Sequence, residues 1–257
     1  MKIAIVSDIH GNLTALESVL PGIKKEADRV ICLGDVAATG PQPRETIAFL
    51  RRAKWPCVLG NTDERLAMSE AEDFGHSGMP KEEREMLRSL DDWTGSQVDS
   101  SDRRFLARFR PTIELRDRNH SILCYHGSPR SNVEQILSTT PEEKLSEAFT
   151  GQSAQIYAGG HTHAQMVRKF GSSMVINPGS IGLPFLMDRE GRAWNPTWAE
   201  YAMVTSTGSE LRVDLRRANY RLRDLKASVL GSGMPNQSWW IRDWFQPAAN
   251  RRPGIST

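Results

Sequence analysis

The chain has 257 residues, with 33 basic and 31 acidic side chains and a net charge of +2 at neutral pH. That length accommodates one large domain with a substantial core, and the charge balance argues against a nucleic-acid-coating surface. Only four apolar residues separate Lys2 from Ser7, too few for a signal peptide, and no run approaches the ~20 apolar residues of a membrane helix. The cytoplasm is the expected compartment and a membrane is not an expected partner.

Ile3-Ala4-Ile5-Val6 is apolar on both faces, the pattern of a strand buried on two sides, and it runs into Ser7-Asp8-Ile9-His10-Gly11. If extended backbone persists past Val6, Asp8 and His10 face the same way, as two metal ligands would. An aspartate that merely caps the next helix is the plainer alternative. Leu13, Leu16, Leu20 and Ile23 mark that helix, with Asn12 as its cap and Pro21 expected to end or kink it. A second apolar run, 30–33, ends at Gly34-Asp35. Pro43 then opens a helix carrying Ile47, Leu50 and Ala53, and Cys57-Val58-Leu59 ends at Gly60-Asn61-Thr62-Asp63. Strand and helix alternate through this stretch, which predicts an α/β sheet with parallel neighbours and ligands at the carboxyl ends of its strands.

Residues 64–110 become polar and helical, over 81–90 and 101–109, around the loop Gly75-His76-Ser77-Gly78. A helical layer on the sheet is expected there rather than a lid. Strands follow at 113–116 and 121–125, the second ending at His126-Gly127-Ser128-Pro129, and a helix at 141–149. The run 155–158 leads into Gly159-Gly160-His161-Thr162-His163, and 174–176 into Asn177-Pro178-Gly179-Ser180. Two strands joined by a turn at Thr207-Gly208-Ser209 and a helix over 219–230 complete a domain of residues 1–230. The remaining extension, 231–257, crowds Trp239, Trp240, Trp244 and Phe245 together. This cluster either packs on the body or forms a homo-oligomer contact. Cys32, Cys57 and Cys124, far apart in sequence and each in an apolar run, read as buried thiols.

Seven polar residues each follow an apolar run: Asp8, His10, Asp35, Asn61, His126, His161 and His163. Oxygen and imidazole donors without a thiolate suit a pair of hard-to-borderline divalent ions better than a structural zinc site. Four of the six histidines of the chain fall in this set, and His76 and His120 are left as structural.

The ordered series Asp8-Ile9-His10, Gly34-Asp35, Gly60-Asn61-Thr62-Asp63, His126-Gly127 and Gly159-Gly160-His161-Thr162-His163 resembles that of the calcineurin-like metallophosphoesterases, and in particular their small bacterial and archaeal phosphodiesterases. The resemblance runs from residue 3 to about residue 180. It implies a four-layer α/β/β/α sandwich of two mixed sheets, with a binuclear site at their joint edge. It assigns Asp8, His10 and His163 to one ion and Asn61, His126 and His161 to the other, with Asp35 bridging. Two divalent ions, manganese as the default and iron, zinc, nickel or magnesium as alternatives, would attract a phosphate and acidify a water for in-line attack. Asp35, Asn61 and His126 are thus the expected catalytic residues.

Many members of the family place a proton-donating histidine where this chain has Thr62, and a threonine is no useful acid near neutral pH. Leaving groups that depart unaided are therefore expected, which favours phosphodiesters or nucleotide phosphoanhydrides, and small phosphorylated substrates such as nucleotides as partners. A phosphomonoesterase, including a nucleotide or protein phosphatase, is the alternative within the enzyme class. A non-catalytic module retaining the fold is the alternative outside it, although none of the seven ligands is lost. No arginine follows Asp35, so Arg130 becomes a candidate substrate contact. Asn177 to Ser180 is expected to brace the ligand loops, and Asp63 to cap its helix.

Overall fold

The computed structural model describes residues 1–68, 80–116, 120–208 and 210–246, so the loop containing His76 lies outside the described residues. In chain order the first half contains β1 (Lys2–Val6), α1 (Leu13–Glu26), β2 (Arg29–Cys32), α2 (Pro43–Ala53), α3 (Asn61–Met68), α4 (Lys81–Gln97) and α5 (Ser100–Leu106). Then come β3 (Ile113–Arg116), β4 (Ser121–Cys124), α6 (Glu142–Ala148), β5 (Ile156–Ala158), β6 (Met166–Phe170) and β7 (Ser173–Asn177). The chain continues with β8 (Leu186–Met187), β9 (Ala193–Pro196), β10 (Trp198–Thr207), β11 (Glu210–Asn219), α7 (Leu222–Ser232), α8 (Gln237–Arg242) and β12 (Trp244–Phe245).

Two mixed sheets carry the architecture. One has the order β11-β10-β1-β2, with β1 parallel to β2 and antiparallel to β10. The other has the order β3-β4-β5-β7-β6, parallel across β4, β5 and β7 and antiparallel at both edges. Strand alternation explains how they stack. Ile3 and Ile5 of β1 join Ile31, Val204, Ile122, Ile156 and Ile176 in an apolar layer between the sheets. Ala4 and Val6, pointing the other way, pack with Leu16, Val19, Ile47 and Leu50 of the first helices. On the far side of the second sheet Leu123, Tyr125, Tyr157 and Val175 cover Leu145 and Phe149. Helix, sheet, sheet and helix therefore succeed one another, which is the expected four-layer sandwich.

Several local expectations change. Pro21 neither ends nor interrupts α1, which runs on to Glu26. Pro21 sits on the exposed side, while Ala15, Leu16, Val19 and Ile23 bury the opposite face and outweigh the one lost backbone bond. The run Cys57-Val58-Leu59 forms no strand of either sheet and makes only isolated bridges, Cys57 to Cys32 at the end of β2 and Val58 to Arg110. Cys32 and Cys57, distant in sequence, are thereby neighbours on parallel chains, both buried and unlinked. Residues 80–106 form a helical layer in which Leu90, Val98 and Leu106 join the core of the first sheet.

The 230/231 boundary falls inside α7. Trp240 and Trp244 stack with ring centroids 5.1 Å apart and are buried in the same core, and β12 pairs with β9. Up to residue 246 the extension is thus part of the body, and its two buried tryptophans are consumed within the chain. Among the described residues no helix is long and apolar enough to cross a membrane.

Candidate metal centre

All seven residues lie where strands or strand-like runs end, and five of them, Asp8, His10, Asp35, His161 and His163, are in left-handed rather than extended backbone. β1 stops at Val6, and Asp8 and His10 are both left-handed, with φ of 54° and 48°. The expectation that extended geometry carries them onto one face is therefore incorrect. The loop is shaped instead by bonds to the loop after β2: Asp8 N–H donates to Gly34 O (3.0 Å), His10 N–H to Asp35 O (2.9 Å) and Gly11 N–H to Val36 O (2.9 Å). Asp35, His161 and His163 are left-handed as well, with φ of 53°, 65° and 55°. A non-glycine residue costs about 1–3 kcal/mol in such a conformation unless its surroundings impose it. Strain at so many candidate ligands is what a built site displays.

The side chains fall into two groups. Asp8, His10 and His163 offer ligand atoms within 4.8 Å of one another, and so do Asp35, His126 and His161. In the first, His163 Nε2 lies 3.3 Å from Asp8 Oδ1 and 3.1 Å from His10 Nε2. In the second, His126 Nε2 lies 3.4 Å from Asp35 Oδ2 and 3.1 Å from Asn61 Oδ1. Asp35 Oδ2 is also 3.8 Å from His10 Nε2, so this one oxygen stands between the groups. Asn61 joins the second group as the sequence suggests.

Three imidazoles are oriented through the opposite nitrogen. His10 Nδ1 donates to Ala38 O (3.1 Å), His126 Nδ1 to Leu33 O (2.7 Å) and His163 Nδ1 to Leu183 O (2.9 Å). A carbonyl only accepts, so Nδ1 carries the hydrogen and Nε2 is turned into the site, the arrangement typical of metal-bound histidine. Asp8 Oδ1 is buried and makes no well-formed hydrogen bond among the described residues, facing only the ring nitrogens turned into the site, His163 Nε2 at 3.3 Å and His10 Nε2 at 3.8 Å. An unpartnered buried carboxylate oxygen is costly, and a cation there would remove that cost. The residues present therefore fit two divalent ions.

The electrostatics agree. Burial alone would raise Asp8, but the neighbouring His163 and His126 imidazoles hold it at about 2. Burial likewise opposes the charge of Asp35, yet His126 beside it pulls its carboxyl far below the usual range. Burial pushes His126 down while Asp35 more than reverses this, to about 10; Asp8 similarly raises His163 against burial. Burial and then the charge of His163 lower His10 to about 4, and burial followed by His126 lowers His161. Two carboxylates thus share the centre with imidazoles, of which His126 is held most firmly in its protonated form by Asp35, and a bound cation would displace that proton.

A further ring of residues holds the ligands, and here sequence reasoning missed the most important one. Asp63 does not serve only its own helix: Oδ2 accepts from Asp35 N–H (2.7 Å) and Gly60 N–H (3.2 Å), and Oδ1 from Val36 N–H (2.9 Å). Thr62 N–H donates to Asp35 Oδ1 (2.9 Å), while its hydroxyl is buried without a partner among the described residues. Ser180 Oγ donates to Asp8 O (2.7 Å) and Asn177 Nδ2 to Gly160 O (2.7 Å), so the Asn177 to Ser180 turn clamps both ligand loops. Arg130 is half-exposed and its guanidinium is paired with Glu134, Nε to Oε2 at 2.9 Å. His120 bonds Ser206 Oγ (2.7 Å) and belongs to neither group.

Gly60 shows how tight this packing is. A Cβ there would lie 2.1 Å from Asp35 Oδ1 and 2.4 Å from Asp35 N. Gly60→Ala is expected to displace Asp35 and weaken metal binding by about 10–100-fold, as disturbances of outer-shell partners do; competition with a chelating indicator measures it.

A sandwich of two mixed sheets with carboxylates and imidazoles converging at their strand ends defines a class of metal-binding α/β proteins. Within it, the chain belongs to the calcineurin-like phosphoesterase superfamily, whose domain model matches residues 1–194. The family uses divalent metals, and membership supports metal-dependent phosphoester hydrolysis in general. The uncharacterized protein MJ0912 of Methanocaldococcus jannaschii is 24% identical over 250 residues, covering 91% of this chain and 93% of that protein. The crystal structure of a metallophosphoesterase from Sphaerobacter thermophilus shares the fold with a TM-score of 0.68 at 24% identity, covering 95% of this chain and 97% of that one. The hypothetical protein PH1004 from Pyrococcus horikoshii OT3 does so at 0.73 and 19%, covering 94% and 96%.

Proposed function

We infer that the chain hydrolyses phosphodiester or nucleotide phosphoanhydride bonds with two divalent cations, manganese being the first choice. The observation that supports this best is the placing of Asp35 Oδ2 between the two ligand groups, within 3.4 Å of His126 Nε2 and 3.8 Å of His10 Nε2. Asp8, His10 and His163 would hold one cation and Asn61, His126 and His161 the other, with Asp35 shared. Bound there, the cations would supply Lewis-acid polarisation of the phosphoryl oxygens and an acidified water for in-line attack.

The chain's own residues set the rest. The carbonyls of Leu33, Ala38 and Leu183 fix the imidazole planes, and the amide of Thr62 fixes Asp35, so the donors need little rearrangement. Thr62 offers no acid for the leaving group, and this supports esters with two substituents over monoesters. A phosphate contact by Arg130 would require its pair with Glu134 to open.

The test is hydrolysis by manganese-loaded protein of bis(p-nitrophenyl) phosphate against p-nitrophenyl phosphate. A higher kcat/KM on the diester is expected; preference for the monoester, or no hydrolysis of either, overturns the reading. Metal loading should also stabilise the fold. At a free manganese concentration 100 times Kd the gain is about 2.7 kcal/mol. For a chain of this size that raises Tm by roughly 5–10 °C, measurable by scanning calorimetry with and without chelator.

A further inference from the structure

Beside the Asn61 and His126 half of the site lies a cavity of about 310 Å3, lined by Leu59, Glu64, Pro111 and residues 128–132. It is built on the same local frame as the ligands. Leu59 precedes Asn61 by two residues, Ser128 follows His126 by two, and Glu64 is three residues beyond Asn61 on α3, which places both on one helix face. The 128–134 loop is held rigidly against this frame. Ser128 N–H donates to Ser131 O (2.7 Å). A Cβ on Gly127 would come within 2.8 Å of Asn132 C, Glu134 O and Ser131 O, so the loop lies directly on the residue after His126.

The lining also has a definite chemistry. Glu64 is fixed by Asn132, whose Nδ2 donates to Oε2 at 2.8 Å. The one cation of the loop, Arg130, is neutralised by Glu134, so the wall retains the negative charge of Glu64 and disfavours a second phosphate. Leu59 and Pro111 supply apolar surface. A held carboxylate with an amide beside it, above apolar surface, suits a group with one apolar face and two adjacent hydroxyl donors.

Resting on the phosphoesterase reading above, we propose that this cavity is a subsite for a substituent of the phosphoester bearing a vicinal diol, namely the ribose of a nucleoside 5′-phosphoester. Glu64 accepts from the hydroxyls, and Asn132 positions Glu64.

Equilibrium binding to the manganese-loaded full chain tests it without relying on turnover. AMP is expected to bind about tenfold more tightly than its 2′-deoxy analogue, the contribution of one hydrogen bond to a charged group. The ratio should fall to about one in Glu64→Gln and to an intermediate value in Asn132→Ala, with metal content per chain checked by elemental analysis. A wild-type ratio near one, or a ratio unchanged in both variants, overturns the proposal. Glycerol 3-phosphate against n-propyl phosphate, compared with AMP against its 2′,3′-dideoxy analogue so that each pair differs by both hydroxyls, separates the two sources of a diol, and a larger ratio for the glycerol pair overturns ribose in favour of glycerol. Hydrolysis of bis(p-nitrophenyl) phosphate by the same samples distinguishes the failures: absent hydrolysis with a preserved ribose ratio overturns the enzymatic reading and leaves the subsite, and the converse overturns the subsite alone.

Discussion

On the proposed two-cation reading, Asp35→Asn is expected to lower phosphodiester hydrolysis by about three orders of magnitude or more and to reduce the bound metal from two ions per chain to one or none. The substitution is isosteric, so the fold should survive. Its effect follows from the hydrogen bond on the other side of the carboxylate. Thr62 N–H requires an acceptor at the Oδ1 position, which obliges the new amide to place its oxygen there. The amide NH2 then takes the Oδ2 position between the two ligand groups and presents hydrogens where a cation needs a lone pair. One exchange therefore removes a charge and installs a donor at the point common to both groups. Elemental analysis and the rate on bis(p-nitrophenyl) phosphate check this. Two ions per chain with wild-type turnover would show that Asp35 is not shared.

The candidate ligands were legible because each follows an apolar run, so the strands that carry these residues also announce them. Asp8 and His10, His161 and His163 could be selected in this way without any knowledge of how their loops bend. Strand alternation is nevertheless not what pairs Asp8 with His10. Alternation along a strand is a local rule, whereas the left-handed backbone at both residues is imposed by Gly34, Asp35 and Val36, more than twenty residues away. Short strands failed for a related reason. β6, β8 and β9 have few buried positions, and their pairing, not their composition, defines them. Pro21 stays inside α1 because the buried face of the helix compensates the one missing hydrogen bond, which is all that propensity weighs. The adjacency of Cys32 and Cys57, and the burial of Trp240 and Trp244, likewise depend on which chains meet, a non-local fact that spacing does not encode.

Asp63 is the clearest case of a residue whose importance only the assembled loops disclose, and its removal should produce the largest loss of stability in the site. Asp63 is fully buried and accepts three backbone N–H groups, those of Asp35, Val36 and Gly60. Asp63→Ala leaves these donors without their acceptor. At about 1–3 kcal/mol for each buried orphan, with partial relaxation, the metal-free protein should lose about 3–5 kcal/mol. One effect opposes this. Burial, and then the adjacent Asp35 charge, push the Asp63 carboxyl up to about 7, so truncation also removes an unfavourable buried charge. Asp63→Asn separates the two contributions. Its amide oxygen can serve Asp35 and Gly60 on one side, but its NH2 then faces the N–H of Val36, donor against donor, so a loss smaller than that of alanine but still measurable is expected. Urea denaturation of the chelated proteins should therefore rank wild type above Asp63→Asn above Asp63→Ala. Equal midpoints for all three would mean that the loop after β2 holds Asp35 without help from α3.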